Sequence, residues 1–389
     1  MINKDQNSIS KVGTFEYDLE LLKKHQKDVI VLGSDSGGKI LVSTAFQGRI
    51  MTSTMDGLKG RSLGWINHDL IASGKIAPHM HAVGGEERIW LGPEGGQFSI
   101  YFKKGVDFQF ENWFVPPAFD TESFELVEQK QDHALFRKQC ELVNYSGTPF
   151  KVSIDRNIRM ISMNELQQIL GLQLPDQCKF VGFESTNTLT NHGDNEWNEK
   201  SGMLSIWILS MLKVSDSATV CIPYKPGPES TLGKIVTDDY FGKIPKGRIR
   251  ITDHSILLKA DGHYRSKIGI SPKRAMPFAG SYDSENNILT IANFSLPEHE
   301  KRYVNSLWKI QDDPFSGDAV NAYNDGPVNG KQMGAFYEIE SSSPAANLEP
   351  GKSIKHIHRT FHFSGPKEEL DQISTLILGM KLDEIKTQL

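Results

Sequence analysis

Phe336–Phe363 reads FYEIESSSPAANLEPGKSIKHIHRTFHF, two strands joined by a proline-containing loop. In the first strand Glu338 and Glu340 share a face, because side chains two apart in a strand point the same way. In the second, Ile357, Phe361 and Phe363 share one phase with Lys355 and Arg359, and His356, His358 and His362 take the other. The turn is LEPGK, residues 348–352. Carboxylates and imidazoles on neighbouring strands are groups that exchange protons near neutral pH. Taken alone, a Glu pair on a strand is more often a solvated face.

Outward from this stretch the period-two pattern covers most of the chain. Strands are expected at 29–32, 39–46, 49–54, 88–91, 97–102, 124–128, 134–144, 150–161, 179–191, 203–212, 218–223, 248–258, 288–294, 303–309 and 334–341. Helical spacing predicts a short helix over 15–25, with Leu19, Leu21 and Leu22 on one side and Lys23 and Lys24 at its negative end. A turn or two of helix is expected over 164–172. A longer helix is expected over 366–388, where Leu370, Ile373, Leu376, Ile377, Met380 and Ile385 form an apolar stripe. Many strands without β-α alternation predict an all-β fold, a β-supersandwich of large antiparallel sheets with short N-terminal and C-terminal helices. No linker or repeat divides the chain. One domain over 1–389 is expected, with a β core at about 28–365.

Net charge is −5 over 389 residues, and no cluster of lysine and arginine with interleaved aromatics appears, so nucleic acid is not an expected partner. Cys140, Cys178 and Cys221 are widely spaced and follow no ligand pattern, which predicts free thiols and no metal site. No run approaches the length of a membrane span. The first residues, MINKDQNSISKVG, hold no apolar signal core, so the expected location is cytoplasmic as written, or periplasmic if a signal was removed. Oligomeric state is left open.

Two further regions are dense in chemistry. Gly84–Gly96, GGEERIWLGPEGG, puts Glu86, Arg88 and Trp90 on one strand phase, and Glu94 follows Pro93 in a turn. Arginine recognises hydroxyls and carboxylates with several donors, and tryptophan offers a flat face for a sugar ring. A glycine-rich hairpin with an Arg–Glu pair over a core tryptophan explains the same letters equally well. His79 and His81 lie just upstream. Tyr303–Gly326 supplies Asn305, Trp308, Gln311, Asp318, Asn321, Tyr323, Asn324 and Asp325, an amide, carboxylate and aromatic set suited to a polyhydroxylated ligand, although NDG alone is a turn signal, and Tyr264, Arg265 and Lys267 read as a short basic strand. Between them, Asn187, Asn191 and His192 end a strand and enter an NHGD tip that is also a good turn.

The order of these pieces resembles the galactose mutarotase-like (aldose 1-epimerase) superfamily, in an uncharacterised bacterial branch. The resemblance rests on Gly84–Trp90, on Leu189–His192, and on Ile339-Glu340-Ser341 followed by Leu348-Glu349-Pro350-Gly351, in order over roughly residues 28 to 365. It implies Glu340 as general base, Arg88 as a sugar-binding arginine and His192 as the acid, with His81 or His79 as counterpart of the family's other histidine. Gly193 and Asp194 stand where that family has aromatic residues.

Three functions are compatible with this reading. The first is a cofactor-independent mutarotase or epimerase acting at the anomeric carbon of a mono- or oligosaccharide, with Glu340 as base and His192 or His81 as acid. Glu86, Arg88, Trp90, Glu94, Asn305, Trp308, Asn321, Tyr323 and Glu338 would hold its substrate. The second is a carbohydrate-binding protein using Trp90, Trp308 and Tyr323 as stacking platforms. The third is a polysaccharide lyase or hydrolase with Glu86, Glu94 and Glu338 as extra carboxylates. Clustered oxygen ligands would suit a Ca²⁺ ion in that case, though no D-x-D-x-D-G pattern supports one.

Overall fold

Strands such as Ser205–Leu209 (SIWIL) and Ala218–Pro223 (ATVCIP) are buried along their whole length, so each must be covered on both faces. The computed structural model describes residues 10–387 apart from 27, 35, 36 and 176, and arranges its strands in three antiparallel sheets. The largest has ten strands, in the spatial order Ile249–Ile251, Ser255–Lys259, Ala218–Pro223, Phe278–Asp283, Ile288–Phe294, Ser353–Ser364, Lys179–Asn191, Pro149–Met160, His133–Val143 and Glu125–Gln129. The second runs Ser266–Ile270, Val320–Asn324, Phe336–Ser342, Ser205–Leu209 and Arg88–Gly92, with Leu212–Lys213 also pairing to Phe336–Ser342. The third is the meander Val29–Gly33, Lys39–Ser43 and Arg49–Thr54. The two larger sheets face each other. Val220, Ile222, Ile256 and Leu258 of one pack with Ile268, Ile270, Ala322 and Ile339 of the other.

The helix Phe15–His25 forms where its spacing places it. Thr14 caps it by accepting from Tyr17 N, and Phe15, Leu19 and Leu22 pack on Leu41 and Met51 of the meander. The expected turn of helix near 164 is Met163–Leu170, closed by a capping box between Ser162 and Glu165 and ended by Gly171 at φ +67°. Ser162→Ala is expected to cost about 1 kcal/mol of stability, read as a shift of the urea midpoint.

Three expectations are corrected. The C-terminal helix is two helices, Lys367–Leu378 and Leu382–Thr387, because Gly379 takes φ +71° and ends the first; Gln388 lies outside the described residues. Together they cover Phe361 and Phe363 on the outer face of the ten-stranded sheet. Residues 97–102 are not a strand. Their backbone is taken up by turns and one bridge, Phe102 to Trp113, with Ser99 N donating to Gly96 O. Residues 303–309 are also irregular: the Gln311 amide donates to the carbonyls of Asn305 and Leu307 and holds a loop there. The helix His68–Ser73 and the strands Phe278–Asp283 and Val320–Asn324 were not expected. No helix among the described residues is long and apolar enough to cross a membrane.

The two halves of Phe336–Phe363 are strands, but they lie in different sheets. This corrects the expectation that the Glu338–Glu340 pair and the three histidines sit on neighbouring strands. The histidines face the space between the sheets. Ser341 Oγ is 2.8 Å from both His356 Nε2 and His358 Nδ1. Burial pushes both imidazoles down to about 3, so they stay neutral and link the sheets by hydrogen bonds without a charge. Glu338 and Glu340, out of phase with Ser341, point to the other side of the six-stranded sheet.

Candidate functional site

The register of the six-stranded sheet collects one set of side chains on that far face. Asn321 stands opposite Glu340 and Gly269, Glu340 opposite Leu209, and Leu209 opposite Arg88. The next row holds Lys267, Tyr323 and Glu338, and Trp90 pairs with Trp207 on the same phase. Gly269 is required in this array, because a Cβ there would sit 2.0 Å from Asp318 Oδ2 and 2.7 Å from Asn321 Nδ2.

Charges are paired across it. Arg88 donates to Glu338 at 2.9 Å and lies 4.4 Å above the Trp90 ring. Lys267 Nζ reaches Glu340 Oε2 at 3.0 Å and stands 4.8 Å from the Trp207 ring, whose Nε1 donates to the same oxygen at 2.9 Å. Glu340 Oε1 has no protein partner and neither do Arg88 Nε and Trp90 Nε1, all of them buried. Burying a polar atom unpaired costs free energy, so three in one array make it the candidate site.

Burial pushes Glu338 up to about 8, against Arg88, with Glu340 adding to the rise. It pushes Glu94 up to about 7, with Trp308 donating to its carboxyl, and Asp318 up to about 6. Burial alone would lower Lys267, but Glu340, Glu94 and Glu338 outweigh it and raise the ammonium above the usual lysine value. A cavity of about 20 Å³, the size of a water site, lies among Lys267, Trp207, Asp318, Asn321 and Ser306. Tyr240 closes it, donating to Asp318 at 2.6 Å and accepting from the Asn321 amide at 3.3 Å.

Of the expected site residues, Arg88, Trp90, Glu94, Trp308, Asn321, Tyr323, Glu338 and Glu340 belong to this neighbourhood. Trp308 is at its edge, against Phe102 and Trp113. Tyr323 donates to Asp325 at 2.6 Å. The structure places four expected residues elsewhere. Glu86 precedes the strand, which begins at Arg88, and both Glu86 and Glu87 turn toward the ten-stranded sheet. Glu86 accepts from Ser53 and stands 2.7 Å from His362 Nε2. Asn305 spends its side-chain oxygen on Leu307 N in the Gln311-held loop. His81 packs on Phe46, and its backbone N–H donates to Asp120. His192 is exposed, with its N–H on Lys151 O in the turn after Asn191. Neither histidine has a contact with Glu340 among the described residues. The glycine pair at 84 and 85 serves the fold: at φ +93° a Cβ on Gly84 would sit 2.2 Å from Trp65 O, and at φ +123° one on Gly85 would sit 2.4 Å from Arg49 Cδ.

Trp207 and Tyr240 are the residues that the sequence reading left out, while Lys267 was read only as part of a short basic strand and Asp318 as one of the polar groups of Tyr303–Gly326. Lys267 had a signal, being one lysine in the otherwise uncharged strand SKIGI; lysine is almost never buried unless paired. Trp207 is one apolar residue among others in SIWIL and carries none.

Comparison with solved structures places the Slr1438 protein from Synechocystis sp. PCC 6803 among the similar ones. It is 14% identical over 87% of this chain and 96% of its own, with a TM-score of 0.50, a likeness that shows the fold alone. A putative aldose 1-epimerase from Escherichia coli K12 gives 12% identity over 87% of this chain and 99% of its own, with a TM-score of 0.49. A galactose mutarotase-like protein from Lactobacillus casei ATCC 334 gives 10% over 86% and 100%, with a TM-score of 0.47. No curated protein matches the sequence. A family model described as a family of unknown function, DUF6786, matches residues 13–389, and the chain belongs to that family.

Proposed function

We propose that this protein acts at the anomeric carbon of a sugar by acid–base chemistry, with Glu340 as the base. The observation that carries this is the state of Glu340. It is fully buried, one oxygen is held by Lys267 and Trp207, and the other is free of protein partners. That free oxygen can take the proton of an anomeric hydroxyl. The electron pair left on the anomeric hydroxyl oxygen forms the aldehyde C=O as the bond from the anomeric carbon to the ring oxygen breaks, and the ring oxygen takes a proton from an acid. Rotation of the aldehyde and the reverse sequence close the ring on the other face. Arg88, Asn321 and the indoles of Trp90 and Trp207 would orient the sugar.

The acid in this reading is Glu94, not a histidine. A carboxyl titrating at about 7 is poised to give a proton at neutral pH. The rate of anomer exchange is therefore expected to fall as pH rises through about 7, and Glu94→Gln to remove that dependence along with most of the rate. A second readout needs no activity. Native Glu94 keeps a proton that the unfolded chain has lost above 4.5, so stability should fall as pH rises from 4.5 toward 7, less steeply in Glu94→Gln. Urea melts across that range check it.

A pyranose does not fit the 20 Å³ cavity, so the segment carrying Tyr240 has to move for a sugar to enter. The separation of both histidines from Glu340 favours the second reading, a carbohydrate-binding protein without turnover. Anomer exchange followed by NMR separates the two: a ligand bound without exchange supports binding alone.

A further inference from the structure

Away from this site the ten-stranded sheet has an open edge. His133–Val143 pairs with Pro149–Met160 along its whole length, out to Val143 opposite Pro149. On its other side it pairs with Glu125–Gln129 only as far as Arg137 opposite Glu125. From Lys138 to Val143 the outer edge has no strand partner, and no backbone hydrogen bond from it reaches any other segment among the described residues. An unpaired edge is a row of N–H and C=O groups at strand spacing, a template for another strand.

The edge is not bare surface. It forms one wall of a groove of about 650 Å³, whose other wall is 100–104 and 114–118. That volume is in the range of ligand sites. Phe102, Phe114 and Leu142 give it apolar positions, and Phe114, stacked on His79 at 4.4 Å, is still 47% exposed. The charges are lopsided. Glu122 is taken by Lys138 at 2.6 Å, and Glu141 has Lys151 at 4.0 Å. Lys103 and Lys104 are exposed and have no ion-pair partner among the described residues. The groove thus offers a strand edge, apolar positions and two uncompensated cations.

We propose that this groove binds an extended acidic peptide by strand addition to Lys138–Val143. The peptide backbone pairs with the edge, alternate apolar side chains enter against Phe102, Phe114 and Leu142, and its carboxylates meet Lys103 and Lys104. A glycan would answer the aromatic ring but not a row of backbone groups. The site is independent of Glu340 and of the reading placed on it.

The probe is a fluorescein-labelled peptide of alternating valine and aspartate, about seven residues long, added to the full chain and read by anisotropy. Saturable binding is expected. N-methylation of alternate peptide nitrogens, which removes the donors that face the edge, should weaken it by about tenfold or more. Lys103→Glu with Lys104→Glu should weaken it comparably, and added salt should do so progressively. Glu340→Gln should leave it unchanged. No binding by the wild type would overturn the proposal. So would binding indifferent to both N-methylation and charge reversal, since that is unspecific apolar adhesion. Sedimentation showing that two copies of the chain occupy the groove in one another would overturn it as well.

Discussion

Glu340→Gln is expected to slow anomer exchange by roughly 10²–10⁴-fold while sugar binding stays close to wild type, the usual worth of one acid–base group. The substitution keeps the shape of the side chain and an oxygen for Trp207 Nε1, which stands 2.9 Å from Glu340 Oε2. It removes the basicity of the free oxygen and the negative charge beside Lys267. Glu94 and Glu338 also act on that ammonium, so Lys267 keeps two carboxyl neighbours and the variant should fold. Exchange spectroscopy on folded variant, with sugar affinity measured in parallel, checks both halves. An equal loss in affinity and rate would mean that Glu340 only holds the ligand.

The largest loss of stability is expected from Arg156→Leu. Arg156 is fully buried and ties three parts of the molecule together. It bonds Glu87 at 2.8 Å, Asn187 Oδ1 at 2.7 Å and the carbonyl of Gly48 at 3.0 Å. Burial raises Glu87 above the usual carboxyl value, and Arg156 is the chief influence opposing that rise. Removing the arginine strands a buried carboxylate, which costs about 3–5 kcal/mol. Against a total of roughly 5–15 kcal/mol this is a large fraction. The double variant Arg156→Leu, Glu87→Leu should recover most of it, because the cost lies in the unpaired charge. Urea denaturation of the single and double variants measures the difference. Equal losses in the two would show that packing, not charge, sets the cost.

Parity carried the sequence reading furthest. Glu338 with Glu340, and Arg88 with Trp90, share faces because a strand alternates, whatever it pairs with. Parity also separated His356, His358 and His362 from Phe361 and Phe363, which the C-terminal helices cover. Partnership was not legible. Whether Ser353–Ser364 pairs with Phe336–Ser342 or joins another sheet depends on contacts with Ile288–Phe294 and Lys179–Asn191, far away in sequence. The grouping of Glu86 with Arg88 failed because the strand begins only at Arg88, after the glycine pair turns the chain. Tyr240 could not be found from pattern, since it lies outside any strand or helix and reaches the site through its bonds to Asp318 and Asn321. His192 drew attention through its neighbours Leu189 to Asn191, yet the same letters make a surface turn in which Asn191 Oδ1 accepts from Gly193 N.

The central claim is that the buried array around Glu340 turns over sugar. Saturation-transfer NMR of anomer exchange tests it most directly, with the wild-type protein, a panel of neutral aldoses and a Glu340→Gln control, between about pH 5 and 9. Catalysed exchange of at least one sugar is expected, faster on the acid side of neutrality and slowed by roughly 10²–10⁴-fold in the control. Exchange at the uncatalysed rate for every sugar across that range would contradict it.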